Sequence, residues 1–247
     1  MRKWTSHKET DTMAISTKGN GERSLVLRIL LFCGVIGPLL FIVVFLIEGA
    51  TRTNYDPLRQ PVSSLSIGNY GWIQAANFII TGLLVIAFAI GLRFVLHPGR
   101  GSLWGCLLIG LVGIGLTGAG FFTTDPMNGY PPGTPLVPAV STLHGTLHNL
   151  FSLPVFVCLP IACFLFGSRF ARLGERRWVI YSVLAGLAML VTFVLAGMGF
   201  QQSPGFTEFA GVFQRLSIII GFTWITLLAV HYLSTPVRDT KGRFGVP

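Results

Sequence analysis

Six apolar runs constrain what this chain can become. They lie at about 25–47, 72–95, 103–122, 143–166, 178–199 and 212–233. Each comes close to the roughly 20 apolar residues that a helix needs to cross a bilayer core of about 30 Å. In hydrocarbon the backbone must satisfy its own hydrogen bonds, and a helix does so within one segment. The expected fold is therefore all-α, an integral membrane bundle of six transmembrane helices. Charged residues make up only 11 % of the chain, too few to cover a soluble globule. The expected organisation is a disordered cytoplasmic tail at 1–23, a six-helix membrane domain at 24–235 and a second cytoplasmic tail at 236–247. The first run is too long for a signal peptide and has no small-residue cleavage site.

The formal charge of +9 is a matter of topology and needs no nucleic-acid partner. With the N-terminus inside, 15 of the 18 Lys and Arg residues fall on one side, including Arg93, Arg100, Arg169, Arg172, Arg176 and Arg177. Only Arg52, Arg59 and Arg215 fall on the other. The positive-inside rule then predicts both termini in the cytoplasm and a multi-pass protein of the plasma (inner) membrane. The basic side also attracts anionic lipid, so membrane lipid is the expected partner. Protein partners are not readable. Cys33, Cys106, Cys158 and Cys163 all fall in spans and show no metal or disulfide spacing.

The three outer connections, about 48–71, 123–142 and 200–211, share a pattern. They contain Asp56-Pro57, Asp125-Pro126 and Ser203-Pro204. Each is followed by a helix that begins with a polar pair: Gln74 and Asn77, His144 and His148, Gln214 and Arg215. This reads as a weak repeat of three helical hairpins that gathers the polar pairs around one outer depression. The third run carries Gly105, Gly110, Gly113, Gly115, Gly118 and Gly120. Small residues let helices approach closely, so this helix is expected at the centre of the bundle.

The sharpest chemical feature is Leu143-His144-Gly145-Thr146-Leu147-His148-Asn149. Two histidines four residues apart share a helical face, a spacing that suits one metal ion or a base with an orienting partner. Asp125, just after the third helix, is the carboxylate expected to join them as a ligand or acid–base group. His144, His148 and Asp125 are thus both the candidate catalytic residues and the candidate ligands of a divalent metal, the one cofactor the pattern suggests. Arg215 and Glu208, with Gln74 and Asn77, are the candidate substrate-binding residues, Arg215 holding an anionic headgroup. Ser63 or Ser64 with His144 and Asp125 would form an acyl-transfer set, but no G-x-S-x-G elbow supports it. No span has an acid or base near its centre, so a proton relay lacks carriers. Walker and dinucleotide motifs are absent.

The order of several short motifs resembles the membrane protein family catalogued as domain of unknown function 998. They are Gly34 with Gly37-Pro38, Tyr55-Asp56-Pro57 with Ser63 to Gly68, Gly71-Trp72, Asn77-Phe78 with Gly82, Asp125-Pro126, His144-Gly145 with His148, and Gly211 to Arg215 with Trp224. The resemblance covers about 29–233 and implies a six-helix integral membrane protein with no assigned activity. There is also a superficial likeness to membrane hydrolases that use Ser, Asp and several His. Those enzymes place histidines on more than one helix, whereas the outer side here offers only His144 and His148.

Two main readings follow, with a small transporter as a third. One is a site at the outer interface that binds a metal or a lipid headgroup and acts on a lipid-linked substrate. The other is a non-catalytic lipid- or partner-binding protein. The topology has its own test. In a background with the native cysteines replaced by Ala, cysteine probes at Gly129 and Gly205 should react with an impermeant label on intact cells. A probe at Gly174 should not, and its labelling would invert the orientation.

Overall fold

The computed structural model describes residues 4–96, 100–138 and 140–234. The expected C-terminal tail at 236–247 and residues 97–99, between the second and third apolar runs, lie outside the described residues. Among the described residues there are six long helices and no strand: α1 Trp4–Thr51, α2 Gly71–Val95, α3 Arg100–Phe121, α4 Leu143–Arg172, α5 Arg176–Phe200 and α6 Ala210–Ser234. All six are long and apolar enough to cross a membrane, with the apolar part of α1 at Leu25–Thr51. Leu39, Val43, Ile90, Leu111, Val191 and Val194 are exposed on the outside of the bundle, where a bilayer would cover them. Short 3-10 helices at Val62–Ser66 and Thr207–Phe209 interrupt two of the long connections.

Each helix packs against its neighbours in sequence, and α1 packs against α6 to close a ring. Residues 52–70, 122–142 and 201–209 connect the helices at one end, called here the long-loop end. At the opposite, terminal end the α4–α5 turn is only Leu173–Glu175, with Gly174 at φ +76°. Arg169 and Arg172 belong to the last turns of α4, and Arg176 and Arg177 open α5. The apolar runs end at about 166 and resume at about 178, whereas α4 runs on to Arg172 and α5 starts at Arg176, on either side of the Gly174 turn.

The glycine-rich α3 is not the central helix. It is one stave of the ring, held between α2 and α4, and its glycines serve both contacts. A Cβ on Gly113 would come within 2.7 Å of the Gly82 carbonyl oxygen of α2. A Cβ on Gly120 would meet the Ala75 carbonyl oxygen at 2.8 Å, and one on Gly115 would meet the Phe151 carbonyl oxygen of α4 at 2.4 Å. Small residues report close approach of backbones, which a two-sided stave needs as much as a hub does. The most enclosed helix is α6. Of its most apolar window 56 % is buried, against 44 % for α3, and it touches α4 and α2 across the ring.

Aromatic side chains fill the middle of the ring. Phe41 of α1 lies 5.1 Å, centroid to centroid, from Phe78 of α2 and from Phe222 of α6. Towards the terminal end Trp224 is fully buried, edge-on to Phe166 at 5.6 Å, and its Nε1 donates to Ser182 Oγ at 3.1 Å. A buried indole N–H needs such an acceptor. The close α2–α3 contact gives a prediction. Gly113→Leu should lower the melting temperature in detergent, since overpacking costs about 1–3 kcal/mol. Gly197→Ala, where a Cβ meets nothing within 4 Å, should leave it unchanged.

Candidate functional site

The α3–α4 joint is built from the residues of the histidine motif. Thr142 caps α4: its Oγ1 accepts from Gly145 N at 3.0 Å. Asp125 in turn accepts from Thr142 N at 3.0 Å and from Thr142 Oγ1 at 2.6 Å, one bond to each carboxylate oxygen. A carboxylate at a helix N-terminus is also favoured by the helix dipole. Position 145 must be glycine for this contact, because a Cβ there would sit 2.1 Å from Asp125 Oδ2.

His148, one turn further on, faces inward and is 1 % exposed. Its Nδ1 lies 2.9 Å from the Ala119 carbonyl oxygen and 2.8 Å from that of Phe122, at the end of α3. Carbonyls only accept, so these partners assign the proton to Nδ1 and satisfy the last carbonyls of α3. Nε2 of the neutral ring is then a lone-pair acceptor, and it makes no hydrogen bond among the described residues. His144 is exposed and packs edge-on against Phe122 at 5.7 Å. The i,i+4 spacing puts the two rings on one stripe, but the first lies at the rim and the second between helices. His144, His148 and Asp125 are therefore close along the chain without converging. Among the described residues no group of three His, Cys, Asp or Glu side chains is placed to hold a metal ion.

Arg215 is 8 % exposed and stands in the second turn of α6. Its Nη1 donates to the carbonyl oxygens of Gln60 at 2.9 Å and Gly211 at 3.0 Å, and its Nη2 donates to the Tyr55 hydroxyl. The Tyr55 hydroxyl donates onward to the Pro61 carbonyl oxygen at 2.9 Å. Gln214 Oε1 accepts from Val62 N at 2.8 Å. The first long loop is thus clamped onto the start of α6. Glu208, grouped with Arg215 by the sequence as a substrate-binding residue, makes an exposed pair with Arg59 at 3.3 Å. Burial pushes the Tyr55 phenol up to about 12, with the Arg215 guanidinium pulling the other way.

A second set of bonds joins all three long loops through Asn128, which sits at φ +53°. Its carbonyl oxygen accepts from Gln60 Nε2 at 3.2 Å, and its Nδ2 donates to the Arg59 carbonyl oxygen at 2.9 Å. Its Oδ1 accepts from Gln202 Nε2 at 2.9 Å. Sequence reasoning singled out neither Asn128 nor Gln202. Loop amides have no periodicity, and only their convergence in space marks them.

Beneath this roof the ring encloses a cavity of about 330 Å³. Pro61, Val62 and Ser63 of the first loop and Thr124 and Met127 of the second close its top. Phe41, Phe78, Leu116, Ile218 and Phe222 form the floor. The few polar groups in the wall include His148, Asn149, Ser152 and Gln214. On the α4–α5 side the lining residues Asn149 and Leu153 are exposed, and Gly197 faces open space. The cavity therefore reaches the outside of the bundle between α4 and α5.

Of the three polar pairs expected to meet, His148 and Gln214 reach this cavity. Gln74 and Asn77 are buried beside it on the α1 contact, with Asn77 Nδ2 donating to the Phe41 carbonyl oxygen and to Gln74 Oε1, both at 3.2 Å. Arg215 stands in the loop clamp.

The raised Tyr55 value predicts a pH dependence. An unfolded tyrosine ionises near pH 10, and folded Tyr55 holds its proton until about 12. The stability this phenol contributes is complete below about pH 10 and is lost as pH rises from there towards about 12. Unfolding in detergent across that window should show a downward slope that Tyr55→Phe makes shallower. Equal slopes would mean that Tyr55 is not held as a buried neutral phenol.

Neither the curated proteins nor the solved structures include a match to this chain. A family model does match, over residues 35–231, and it takes in the apolar part of α1 from Val35, the three long loops and α6 as far as His231. The chain belongs to the family described as protein of unknown function DUF998.

Proposed function

We propose that this protein binds the hydrocarbon part of a membrane lipid in the cavity at the long-loop end. It would do so in the plasma (inner) membrane, with both termini in the cytoplasm and the long loops outside. The observation that carries this reading is the cavity's lateral opening between α4 and α5, at a depth where lipid chains would lie. A wall of Phe, Leu, Ile and Val suits an acyl or isoprenoid chain, and a small number of polar groups suits the start of its headgroup. His148 Nε2 is the acceptor offered to a ligand hydroxyl or amide. His144 at the rim is placed nearer the headgroup than the chain.

The tautomer of His148 favours a second reading, an enzyme that acts on a lipid-linked substrate. A neutral imidazole held at Nδ1 by two carbonyls presents Nε2 as a general base. In that reading Asp125 fixes the start of α4 and so positions His148, and Arg215 keeps the roof closed over the reacting group. Chemical conversion of the co-purifying lipid by the wild type, read by mass spectrometry and lost in folded His148→Ala, would favour catalysis over binding.

The binding reading is tested at the opening. Gly197→Trp should fill the open space between α4 and α5, and Ser152→Trp should fill the wall opposite. Both variants should lose lipid that co-purifies with the wild type, measured by mass spectrometry of extracts, while keeping helix content. Undiminished lipid in both variants would refute the cavity as its binding place.

A further inference from the structure

Among the described residues, the terminal end of the bundle carries arginine charge that no acid pairs. There α2 and α3 part to leave an external groove of about 330 Å³, separate from the loop-end cavity. Ala89, Cys106 and Gly110 form its floor. Its sides are Ile90 and Phe94 of α2 and Leu107 and Leu111 of α3, each at least 44 % exposed, so the groove opens to the outside of the bundle. A Cβ on Gly110 would meet only Ala89, at 3.8 Å, so the missing side chain leaves the groove deep.

Arg93, in the last turn of α2, borders this groove. Among the described residues it makes no ion pair and no hydrogen bond, and its Nη1 is buried without a partner. On the other flank of α3, Arg169 of α4 has a buried Nε without a partner, with its guanidinium beside the Tyr232 hydroxyl. Both guanidinium groups lie within electrostatic reach of Cys106. The ion pairs of the described residues engage Glu48, Glu208 and Glu175, and none involves either arginine. An unpaired guanidinium at the edge of hydrocarbon is costly. An anion that brings its own hydrocarbon relieves that cost and covers the exposed groove together. Arginine is also the side chain whose fork fits phosphate oxygens.

We propose that the α2–α3 groove binds an anionic phospholipid, with an acyl chain between Ile90, Phe94, Leu107 and Leu111 and its phosphate on Arg93. Arg169 adds positive field from behind α3 without touching the lipid. The site is independent of the loop-end cavity, on different helices and at the opposite end. With the termini inside, its ligand comes from the cytoplasmic leaflet.

The test uses full-length protein equilibrated in vesicles of equal phosphatidylglycerol and phosphatidylcholine. The ratio of the two lipids retained on the protein is measured by mass spectrometry after mild extraction. The wild type should retain phosphatidylglycerol preferentially. Arg93→Gln should reduce that preference about fivefold, the size of one basic contact at a membrane surface. Gly110→Leu should reduce it as well, by filling the groove while leaving every charge in place, and it serves if Arg93→Gln fails to fold. Arg172→Gln, an exposed arginine at the same end, should keep the wild-type ratio. Equal losses in Arg93→Gln and Arg172→Gln would show diffuse attraction and overturn the site. An unchanged ratio in folded Gly110→Leu would overturn it too.

Discussion

The arrangement rests on how irregular backbone is satisfied at the edge of a membrane. Residues 52–70 have only the short 3-10 helix at Val62–Ser66 to absorb their carbonyls, and they lie over the open end of an apolar ring. Two arginines take up that load. Arg215 donates to the Gln60 carbonyl and to Tyr55, and Arg52 donates to the carbonyls of Leu65, Ile67 and Tyr70 while pairing with Glu48 at 2.6 Å. Hydrogen bonds from charged donors contribute about 1.5–3 kcal/mol each, more than neutral ones. Asn128 then ties the other two loops to the first.

The same constraint explains where the cavity inside the ring lies. Towards the terminal end Trp224, Phe166, Phe222 and their neighbours interdigitate. Towards the long-loop end α3 is held closely by α2 and α4, and loop residues close the top of the cavity inside the ring. His148 stands at that transition. It caps α3 with one nitrogen and leaves the other as the acceptor at the cavity wall, so one side chain serves the fold and the proposed ligand.

The basic residues divide by the same logic. At the long-loop end Arg52, Arg59 and Arg215 are all engaged by carbonyls, Tyr55, Glu48 or Glu208. At the terminal end Arg93 is left without a protein partner among the described residues. A guanidinium that finds no acid or carbonyl among the described residues is the place where the proposed phospholipid would supply the anion. In a bilayer the surroundings are phospholipid.

The sequence by itself determined the number of helices and their approximate bounds, because the apolar runs match a physical length and helices must satisfy their own backbones. It also located the α3–α4 joint, since Asp125-Pro126 and His144-Gly145 with His148 mark caps, though it assigned those residues to chemistry first. Tertiary structure decided what periodicity does not encode. It placed α3 in the wall and α6 inward, because glycine signals close contact and not centrality. It sent His148 in and left His144 at the rim, because a shared helical stripe does not fix where the neighbouring helix ends. It drew Arg215 to Tyr55 and Gln60, leaving Glu208 to Arg59, because depth and loop path choose a partner before charge does. The loop amides Asn128 and Gln202 became a joint only when three distant segments met, a long-range juxtaposition that no local pattern records.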